Sequence, residues 1–518
     1  MQNHENQNLN QLPSTSPNFR TDLAKKLEEL VPEAIADGKV DVVKLKELLA
    51  EDAGEPNERF GLFWPGKKQA LRAAQEPTTA TLKPAKDESK DWDTTNNIFI
   101  EGDNLEVLKV LQKQYHNSIK MIYIDPPYNT GKDFVYPDNF KEGLQNYLEF
   151  SHQVDEGNKK ISTNTETAGR YHSNWLNMMY PRLKLARNLL TDDGVIFISI
   201  DDAEQANLKK MCDEIFGEGN FVSQVVWQKK YAPQNDAKYF STSHDYILIY
   251  ARSIERFSRN LLPRNKEQLA RYKNVDNDPR GPWQSDNFTV ATYSAAYDYP
   301  ITLPSGRTIN PTPGRCWRTS FENYKKLVSD NRISFGVDGD NVPRIKRFLS
   351  EVQDGSVPET LWLYKDVGHN QGAATSLKNL MDGKKYFDYP KPVTLIEFMA
   401  KIASSRDSLI LDFFAGSATT AHAIMQLNAE DGGNRKHIMV QLPEPTDEKS
   451  EAFKAGYKKI SDIARERINR AGEKIKADFA DKLAEREIPL DVGYRTYKLA
   501  DTNFTKWQSA PTGDLTEL

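Results

Sequence analysis

Two segments of this sequence place polar and small residues directly after short apolar runs. In the first, the apolar residues that end at Ile124 are followed by Asp125-Pro126-Pro127-Tyr128. In the second, Leu409–Leu411 leads into a run of small and polar residues. Apolar runs of this length are typical of buried strands. Both segments therefore have the form of a strand that ends at a polar turn, which is where open α/β sheets hold ligands.

The first turn offers two hydrogen-bond acceptors and an aromatic ring. The carboxylate of Asp125 and the carbonyl of Pro126 can each accept one N–H of an exocyclic amino group on a nucleobase. This draws the lone pair out of conjugation and aims it at an electrophilic methyl group, a step that depends on positioning and electrostatics. The ring of Tyr128 can stack on a base extruded from its duplex. Asp-Pro and Pro-Pro are also common turn dipeptides, so an ordinary turn is the alternative.

The second turn can take a ligand close to its backbone because its residues are small. The chain contains no Gly-x-x-x-x-Gly-Lys-Ser/Thr, so nucleoside triphosphate hydrolysis is not indicated. A methyl donor activated by a sulfonium, S-adenosylmethionine, would suit a site without metal or phosphate groups. An ordinary tight strand-to-helix turn is again the alternative. The turn reads Asp412-Phe413-Phe414-Ala415-Gly416-Ser417-Ala418-Thr419-Thr420.

Alternating strands and helices must position these two turns. Such alternation predicts an α/β fold with a parallel sheet and crossover connections. The predicted strands are Ile98–Ile100, Lys120–Ile124, Val195–Ile200, Leu409–Asp412 and His437–Gln441, and the predicted helices are Asn104–Tyr115, Trp175–Leu190, Thr394–Ala403 and Thr419–Leu427.

Changes in composition divide the chain into six parts. Residues 93–222 and 386–446 are predicted to be the two halves of the sheet domain. Residues 223–385 are dense in Tyr, Trp, Asn, Pro and Arg, and they are predicted to be a separate inserted domain that includes a strand-like piece at Tyr246–Tyr250. The remaining parts are a disordered segment (1–20), a helical cap broken at Asp37-Gly38 with a linker at Glu76–Asp93 (21–92), and a long helix at Glu451–Lys482 with a tail (447–518).

The composition is that of a globular protein of two or three domains. The 518 residues are 38% hydrophobic and 28% charged, which is ordinary for such proteins. No apolar run approaches the ~18 residues of a membrane span, and the N-terminus lacks the features of a signal peptide. Cys212 and Cys316 cannot by themselves build a zinc site or a disulfide framework. We therefore expect a cytoplasmic protein without a metal or a membrane partner.

The distribution of charge points to nucleic acid. The net charge is −5, whereas residues 223–360 carry 20 Lys and Arg against 15 Asp and Glu. A basic segment interspersed with aromatic residues favours DNA binding, although an aromatic core with solvated charges is the alternative. The residues that suggest this surface are Trp227, Lys229, Lys230, Tyr231, Tyr239, Arg252, Arg256, Arg259 and Arg264.

The chain resembles the modification (Mod) subunits of type III restriction–modification systems. These are amino-methyltransferases of the β arrangement, in which the catalytic motif precedes the cofactor motif. The resemblance covers roughly residues 60–507, apart from the middle domain. Besides the two turns, it is carried by Asp133–Tyr136, Asp138–Phe140, Trp175-Leu176, Tyr180–Leu183, Gly194–Asp202, Tyr389–Pro392, Gly493–Arg495, Lys498-Leu499 and Asn503-Phe504.

The resemblance implies a Rossmann-like sheet that uses S-adenosylmethionine, with an inserted target-recognition domain and helical N- and C-terminal extensions. Asp125, Pro126, Pro127 and Tyr128 would be the catalytic residues that hold the target base. Asp103 would lie near the cofactor adenine, and Glu444 or Gln441 would bind the ribose. The implied cofactor residues are Asp103, Lys391, Asp412, Phe414, Ala415, Gly416, Ser417, Thr419 and Glu444.

The implied activity is methylation of adenine N6 at a specific site of double-stranded DNA, with the target base flipped out of the duplex. The implied partners are a second copy of the chain and a separate restriction subunit with helicase and nuclease functions. Asp at position 125, rather than Ser, favours adenine over the alternative, cytosine N4.

One residue departs from the family's pattern. The family usually has glycine where this chain has Ala418, whose methyl could crowd the cofactor or be harmless if φ is negative. The chain could for this reason be a DNA-specificity subunit with weakened or lost catalysis. An RNA methyltransferase is a third reading, and the large inserted domain disfavours it.

Overall fold

The computed structural model describes residues 61–130 and 171–501, with a few isolated positions before residue 61. The chain divides into two compact units. Unit 1 comprises Met1–Asn260 with Glu359–Leu518, and unit 2 comprises Leu261–Pro358. The predicted disordered segment 1–20, most of the predicted cap, and the motif segments Asp133–Phe140 and Asn503-Phe504 lie outside the described residues.

Ten strands of unit 1 form one sheet. Its order is β7-β5-β6-β4-β3-β8-β9-β2-β10-β1, where the strands, numbered along the chain, are β1 (Thr81–Pro84), β2 (Ile98–Glu101), β3 (Ile119–Ile124), β4 (Leu190–Ile200), β5 (Phe221–Gln228), β6 (His244–Ala251), β7 (Leu361–Trp362), β8 (Leu409–Asp412), β9 (Lys436–Gln441) and β10 (Arg495–Ala500). Strands β6 and β1 run antiparallel to their neighbours, and the other pairs are parallel. The predicted α/β fold with a mostly parallel sheet is confirmed.

Helices cover both faces of this sheet. The longer helices of unit 1 are α1 (Lys67–Gln75), α2 (Asn104–Tyr115), α3 (Tyr171–Leu189), α4 (Gln205–Phe216), α5 (Asn370–Leu380), α6 (Val393–Ala403), α7 (Thr419–Asp431) and α8 (Ile460–Asp478). Successive residues of a strand point to opposite faces, and β9 shows the result. Ile438 and Val440 pack in the apolar cluster formed with α2, α3 and α4, whereas Met439 packs in the cluster formed with α7 and α8.

The structure differs from the predicted boundaries at several places. Strands β6 and β7 and most of β5 lie in the segment 223–385 that was predicted as the inserted domain, and the compact unit 2 is narrower, Leu261–Pro358. The predicted linker Glu76–Asp93 contains the edge strand β1. The predicted helical C-terminal extension contains β10, which lies between β2 and β1.

Two predicted helical regions are also interrupted. The long helix predicted at Glu451–Lys482 is broken at Gly456, whose φ of 97° is left-handed, and α8 begins only at Ile460. In the predicted N-terminal cap, Ile35–Ala36 pairs antiparallel with Lys39–Val40, so the break at Asp37-Gly38 is flanked by short strands. A glycine at positive φ commonly ends a helix. The composition of Glu451–Lys482 alone does not reveal that the helix is broken at Gly456.

Unit 2 has its own small core. A three-stranded antiparallel sheet consists of Ile333–Ser334, Arg344–Phe348 and Trp283–Asn287. An apolar cluster that includes Phe288 and Trp317 packs beside it. In the part of the chain that the structure describes, no helix is long and apolar enough to cross a membrane.

Candidate active site

The two turns identified in the sequence lie side by side at the carboxyl edge of the unit 1 sheet. Strand β3 pairs in parallel with β8, with Met121 opposite Ile410 and Ile122 opposite Leu411. Asp125 follows the end of β3 and Asp412 ends β8, so both carboxylates leave adjacent strands at the same edge. Segments nearly three hundred positions apart in the sequence therefore form one site.

The Asp125 carboxylate is paired with Lys391, which lies just ahead of α6. Lys391 Nζ donates to Oδ1 at 2.6 Å and to Oδ2 at 2.5 Å. The same nitrogen lies 5.0 Å from the centre of the Tyr128 ring. The side chains of Lys391 and Asp125 are 10% and 25% exposed. Lys391 therefore lies beside Asp125 and Tyr128. Its ammonium group occupies a position between the carboxylate and the aromatic ring that could also hold another N–H donor.

The Asp-Pro-Pro-Tyr turn is held from behind by α3 and the segment before α4. Trp175 Nε1 donates to the Pro127 carbonyl at 2.7 Å. Asn129, at a positive φ of 62°, donates from Nδ2 to Glu204 Oε1 at 2.6 Å. No described residue donates to the Pro126 carbonyl, so this acceptor remains available beside Asp125.

The Tyr128 hydroxyl is buried and makes no hydrogen bond among the described residues. Burial, and next the carboxylates of Asp125 and Asp245, raise the pKa of Tyr128 well above its usual value. The phenol is therefore neutral at physiological pH. The Tyr128 side chain thus presents an aromatic face and a neutral hydroxyl.

The turn that is predicted to bind the cofactor, Asp412–Thr420 (the cofactor turn), is organised around Asp412. Its Oδ1 accepts from the Phe414 backbone N–H at 3.0 Å, and its Oδ2 accepts from Thr420 Oγ1 at 2.6 Å. Burial raises the pKa of Asp412 to about 7, and Asp125 adds to this rise. The Ala415 backbone N–H donates to the carbonyl of Val440 at 3.1 Å, which ties the turn to β9.

Gly416 has a left-handed φ of 52°, and a Cβ at this position would lie 3.3 Å from Phe387 Cζ. Its N–H donates to Gln441 Oε1 at 2.6 Å. Ala418 is also left-handed, with φ 59°, where glycine is favoured. Its side chain is fully buried in the apolar cluster with Met425 and Ala464. The methyl group therefore packs in the core behind the turn, although φ is positive.

A buried arginine that sequence reasoning missed supports this turn. Arg467 Nη1 donates to Ser417 Oγ and to Thr419 Oγ1, each at 2.7 Å. The sequence analysis predicted only a long helix over Glu451–Lys482 and assigned no role to this arginine. A signal was present, because Arg467 stands one turn after Ile463 and one turn before Ala471 on the buried stripe of α8. An arginine in such a stripe requires a polar partner.

Asp103 is joined to the same region by a buried network. Its Oδ1 caps α2 by accepting from the N–H groups of Leu105 and Glu106, at 3.0 and 3.2 Å. Its Oδ2 pairs with Arg182 at 3.2 Å, and Asn104 Nδ2 donates to the Phe413 carbonyl at 2.8 Å. Burial raises the pKa of Asp103, and Arg182 opposes that rise.

The structure distinguishes the two candidates for binding the cofactor ribose, Gln441 at the end of β9 and Glu444 after it. Gln441 uses Oε1 for Gly416 and donates from Nε2 to the Leu442 carbonyl at 3.2 Å. The Glu444 carboxylate makes no hydrogen bond among the described residues, and burial raises its pKa. Glu444 thus retains free acceptors for a ligand, whereas Gln441 shapes the turn.

These residues fit S-adenosylmethionine. A ligand can approach the backbone of the turn closely at Gly416, which has no side chain and a left-handed φ. The hydroxyls of Ser417 and Thr419, which contact the Arg467 guanidinium, can donate to a carboxylate. Glu444 offers a carboxylate of the kind that binds a ribose diol. The fit depends on hydrogen-bond donors and acceptors of these side chains that no described residue engages.

Comparison with known proteins identifies the family. The model of the DNA methylase family matches residues 119–466, which include both turns. The Mod subunit of the type III restriction–modification enzyme StyLTI of Salmonella typhimurium is 37% identical over 515 residues, 96% of this chain and 76% of that protein. The EcoPI Mod subunit of Escherichia phage P1 is 34% identical, over 90% and 77%. Type II methyltransferase M.KpnI of Klebsiella pneumoniae is 31% identical, over 76% and 91%.

These matches confirm the resemblance to Mod subunits that the motifs indicated. The chain therefore belongs to the DNA methylase family, among the Mod subunits of type III restriction–modification enzymes, and it is a DNA methyltransferase.

Proposed function

We propose that this protein methylates the N6 amino group of adenine at a specific DNA site, with Asp125, Pro126 and Tyr128 holding the flipped base. The observation that carries the proposal is the position of Asp125. It combines a carboxylate, a free backbone carbonyl and an aromatic face on the strand next to the cofactor turn. S-adenosylmethionine supplies an electrophilic methyl group when it is bound.

The residues of the catalytic turn would orient the amino nitrogen. One N–H donates to Asp125 and the other to the Pro126 carbonyl, which leaves the lone pair out of the plane of the base. Attack leaves an extra proton on the nitrogen, and the Asp125 carboxylate is the acceptor within hydrogen-bond reach. Lys391 keeps Asp125 oriented before the base arrives, and the incoming amino group takes over at least one of its two carboxylate contacts.

The loop between β5 and β6, residues 229–243, supports contact with DNA near this edge. Hairpin connections usually need only about two to five residues, and this one is far longer. Tyr239 and Phe240 are 81% and 93% exposed, and Lys230 and Lys238 lie on the same loop. Lysines contact phosphates and aromatic rings stack on bases. We assign target recognition to residues 223–385, with this loop and unit 2 as its two parts.

We further propose that the protein acts in the cytoplasm as a homodimer and binds a separate restriction subunit that supplies helicase and nuclease functions. The support is its similarity to proteins named Mod subunits of restriction–modification enzymes. Light scattering of the purified chain at micromolar concentration tests the dimer. A monomer at all concentrations would contradict it.

The experiment that tests the reaction is transfer of a labelled methyl group from S-adenosylmethionine to DNA and, in a parallel reaction, to RNA, followed by digestion to nucleosides. We expect labelled N6-methyldeoxyadenosine. N4-methyldeoxycytidine would select cytosine, N6-methyladenosine from RNA would select an RNA enzyme, and no labelled product would select a specificity subunit without catalysis.

Asp125→Ala should abolish the transfer and leave cofactor binding intact. The matched control is Asp193→Ala, because Asp193 forms a comparable pair with Lys120, at 2.6 Å, near the start of β3. This control should retain activity. Loss of cofactor binding in Asp125→Ala would show that Asp125 belongs to the cofactor half of the site and that its assignment to the target base is wrong.

A further inference from the structure

Arg467 is a buried cation without a counter-charge among the described residues. It is 2% exposed, and burial alone accounts for the shift of its pKa to about 9. Its Nε also has no hydrogen-bond partner in the described part of the chain. Other arginines of α8 are paired differently. Arg465 contacts Glu101 at 3.3 Å and Asp462 at 2.7 Å, and Arg470 pairs with Glu466 at 2.5 Å.

A buried charge that lacks a partner is costly. The guanidinium nevertheless stays protonated at neutral pH and therefore carries a positive charge inside the protein. Its two described contacts are neutral hydroxyls, those of Ser417 and Thr419, both in the cofactor turn. This arrangement is stabilised when a negative group arrives on the other side of the hydroxyls.

The chemistry of the guanidinium fixes the direction of the hydroxyl protons. A guanidinium only donates, so each hydroxyl must use a lone pair toward Arg467 and keeps its own proton to donate. Neither hydroxyl donates to a described residue. Helix α7 also begins here, at Thr419, and no side chain caps its first turn. Its free N–H groups and dipole likewise favour an anion.

We propose that Arg467 positions the α-carboxylate of S-adenosylmethionine by acting through Ser417 and Thr419. The two hydroxyls accept from Arg467 and donate to the carboxylate. Arg467 is a positioning residue, since it reaches the cofactor through these side chains. The inference rests on the cofactor assignment to this turn and names the group that discriminates the amino-acid part of the cofactor.

The test compares two ligands that share the thioether and the adenosine. S-adenosylhomocysteine has the amino-acid carboxylate, and 5′-methylthioadenosine lacks it. Calorimetric titration of the full chain should show that Arg467→Met weakens S-adenosylhomocysteine about 10- to 100-fold, the range for hydrogen bonds to charged groups. The affinity for 5′-methylthioadenosine should stay unchanged. Arg467→Lys should restore part of the loss, because it keeps the charge.

Arg470→Met is the matched control, since Arg470 lies on the same helix but is partly exposed and paired. It should bind both ligands as the wild type does. Equal weakening of both ligands in Arg467→Met, or no change in either, would overturn the proposal.

If Arg467→Met fails to fold, the double variant Ser417→Ala with Thr419→Val removes the same relay without leaving a cavity at Arg467. It should show the same selective loss, and an unselective loss would overturn the proposal. A wild-type chain that binds neither ligand would instead refute the assignment of the cofactor to this turn.

Discussion

Replacing Asp412 by Asn should stabilise the cofactor-free protein at neutral and alkaline pH. Asp412 is 2% exposed at the end of β8. Its oxygens accept from the Phe414 N–H and from Thr420 Oγ1. An asparagine of the same shape can accept the first bond with its oxygen and donate to the threonine hydroxyl with its amide. The substitution therefore removes the charge and retains the contacts.

The magnitude follows from the pKa of Asp412, which burial raises from its ordinary value of 3.8 to about 7. Below pH 3.8 the carboxyl is protonated in both the folded and the unfolded chain, and it carries no penalty. Between pH 3.8 and 7 only the unfolded chain ionises, so the free energy of unfolding falls by about 1.4 kcal/mol per pH unit. Above pH 7 the accumulated loss is on the order of 4 kcal/mol. The Asp412→Asn variant carries no ionisable group at this position and would escape the loss.

Urea unfolding of the wild type and Asp412→Asn between about pH 4 and pH 8 measures this difference. We expect nearly equal stability at the acidic end and an advantage for the variant that grows to about 4 kcal/mol at the alkaline end. Asp338→Asn, at an exposed position of unit 2, is the control, because a solvated carboxylate has no burial cost to lose. A difference between wild type and Asp412→Asn that does not vary with pH would refute the reasoning.

Three further outcomes are expected. Lys391→Met should lower kcat about 10- to 100-fold and leave cofactor affinity unchanged, because it removes two charge-assisted bonds to Asp125; weaker cofactor binding in calorimetry would place Lys391 with the cofactor instead. Gly416→Ala should cost about 1–2 kcal/mol in thermal unfolding, since its left-handed φ strains any side chain, and an unchanged stability would contradict that. The affinity for DNA should fall with salt, and Lys238→Ala should reduce the slope by about one; a flat response in an anisotropy titration would exclude phosphate contacts by the loop.

The chemistry of the site could be predicted because each half is local in the sequence. An apolar strand, a polar turn and a following helix are visible within a short stretch of chain, and β3 and β8 were both found in this way. The structure shows that these two strands are neighbours. Their adjacency could not be deduced from either segment alone.

The remaining features depend on contacts between distant residues. Strand β1, Thr-Leu-Lys-Pro, carries two polar residues and a proline, and it becomes a strand by pairing with β10. Strands β5 and β6 extend the sheet in an antiparallel manner, and the aromatic composition around them indicated a different domain. The bond between Lys391 and Asp125 spans 266 positions, and that between Arg467 and Ser417 spans 50. No local pattern encodes such distances.

The position of β10 links biosynthesis to activity. This strand comes from residues 495–500, yet it is inserted between β2 and β1, which come from residues 81–101. This side of the sheet can close only after residues 495–500 have left the ribosome. A stop codon ahead of residue 495 would leave both motifs intact but bare the backbone of β2, an open edge that invites aggregation. Truncations ahead of residue 495 should therefore abolish DNA modification as thoroughly as the substitution Asp125→Ala.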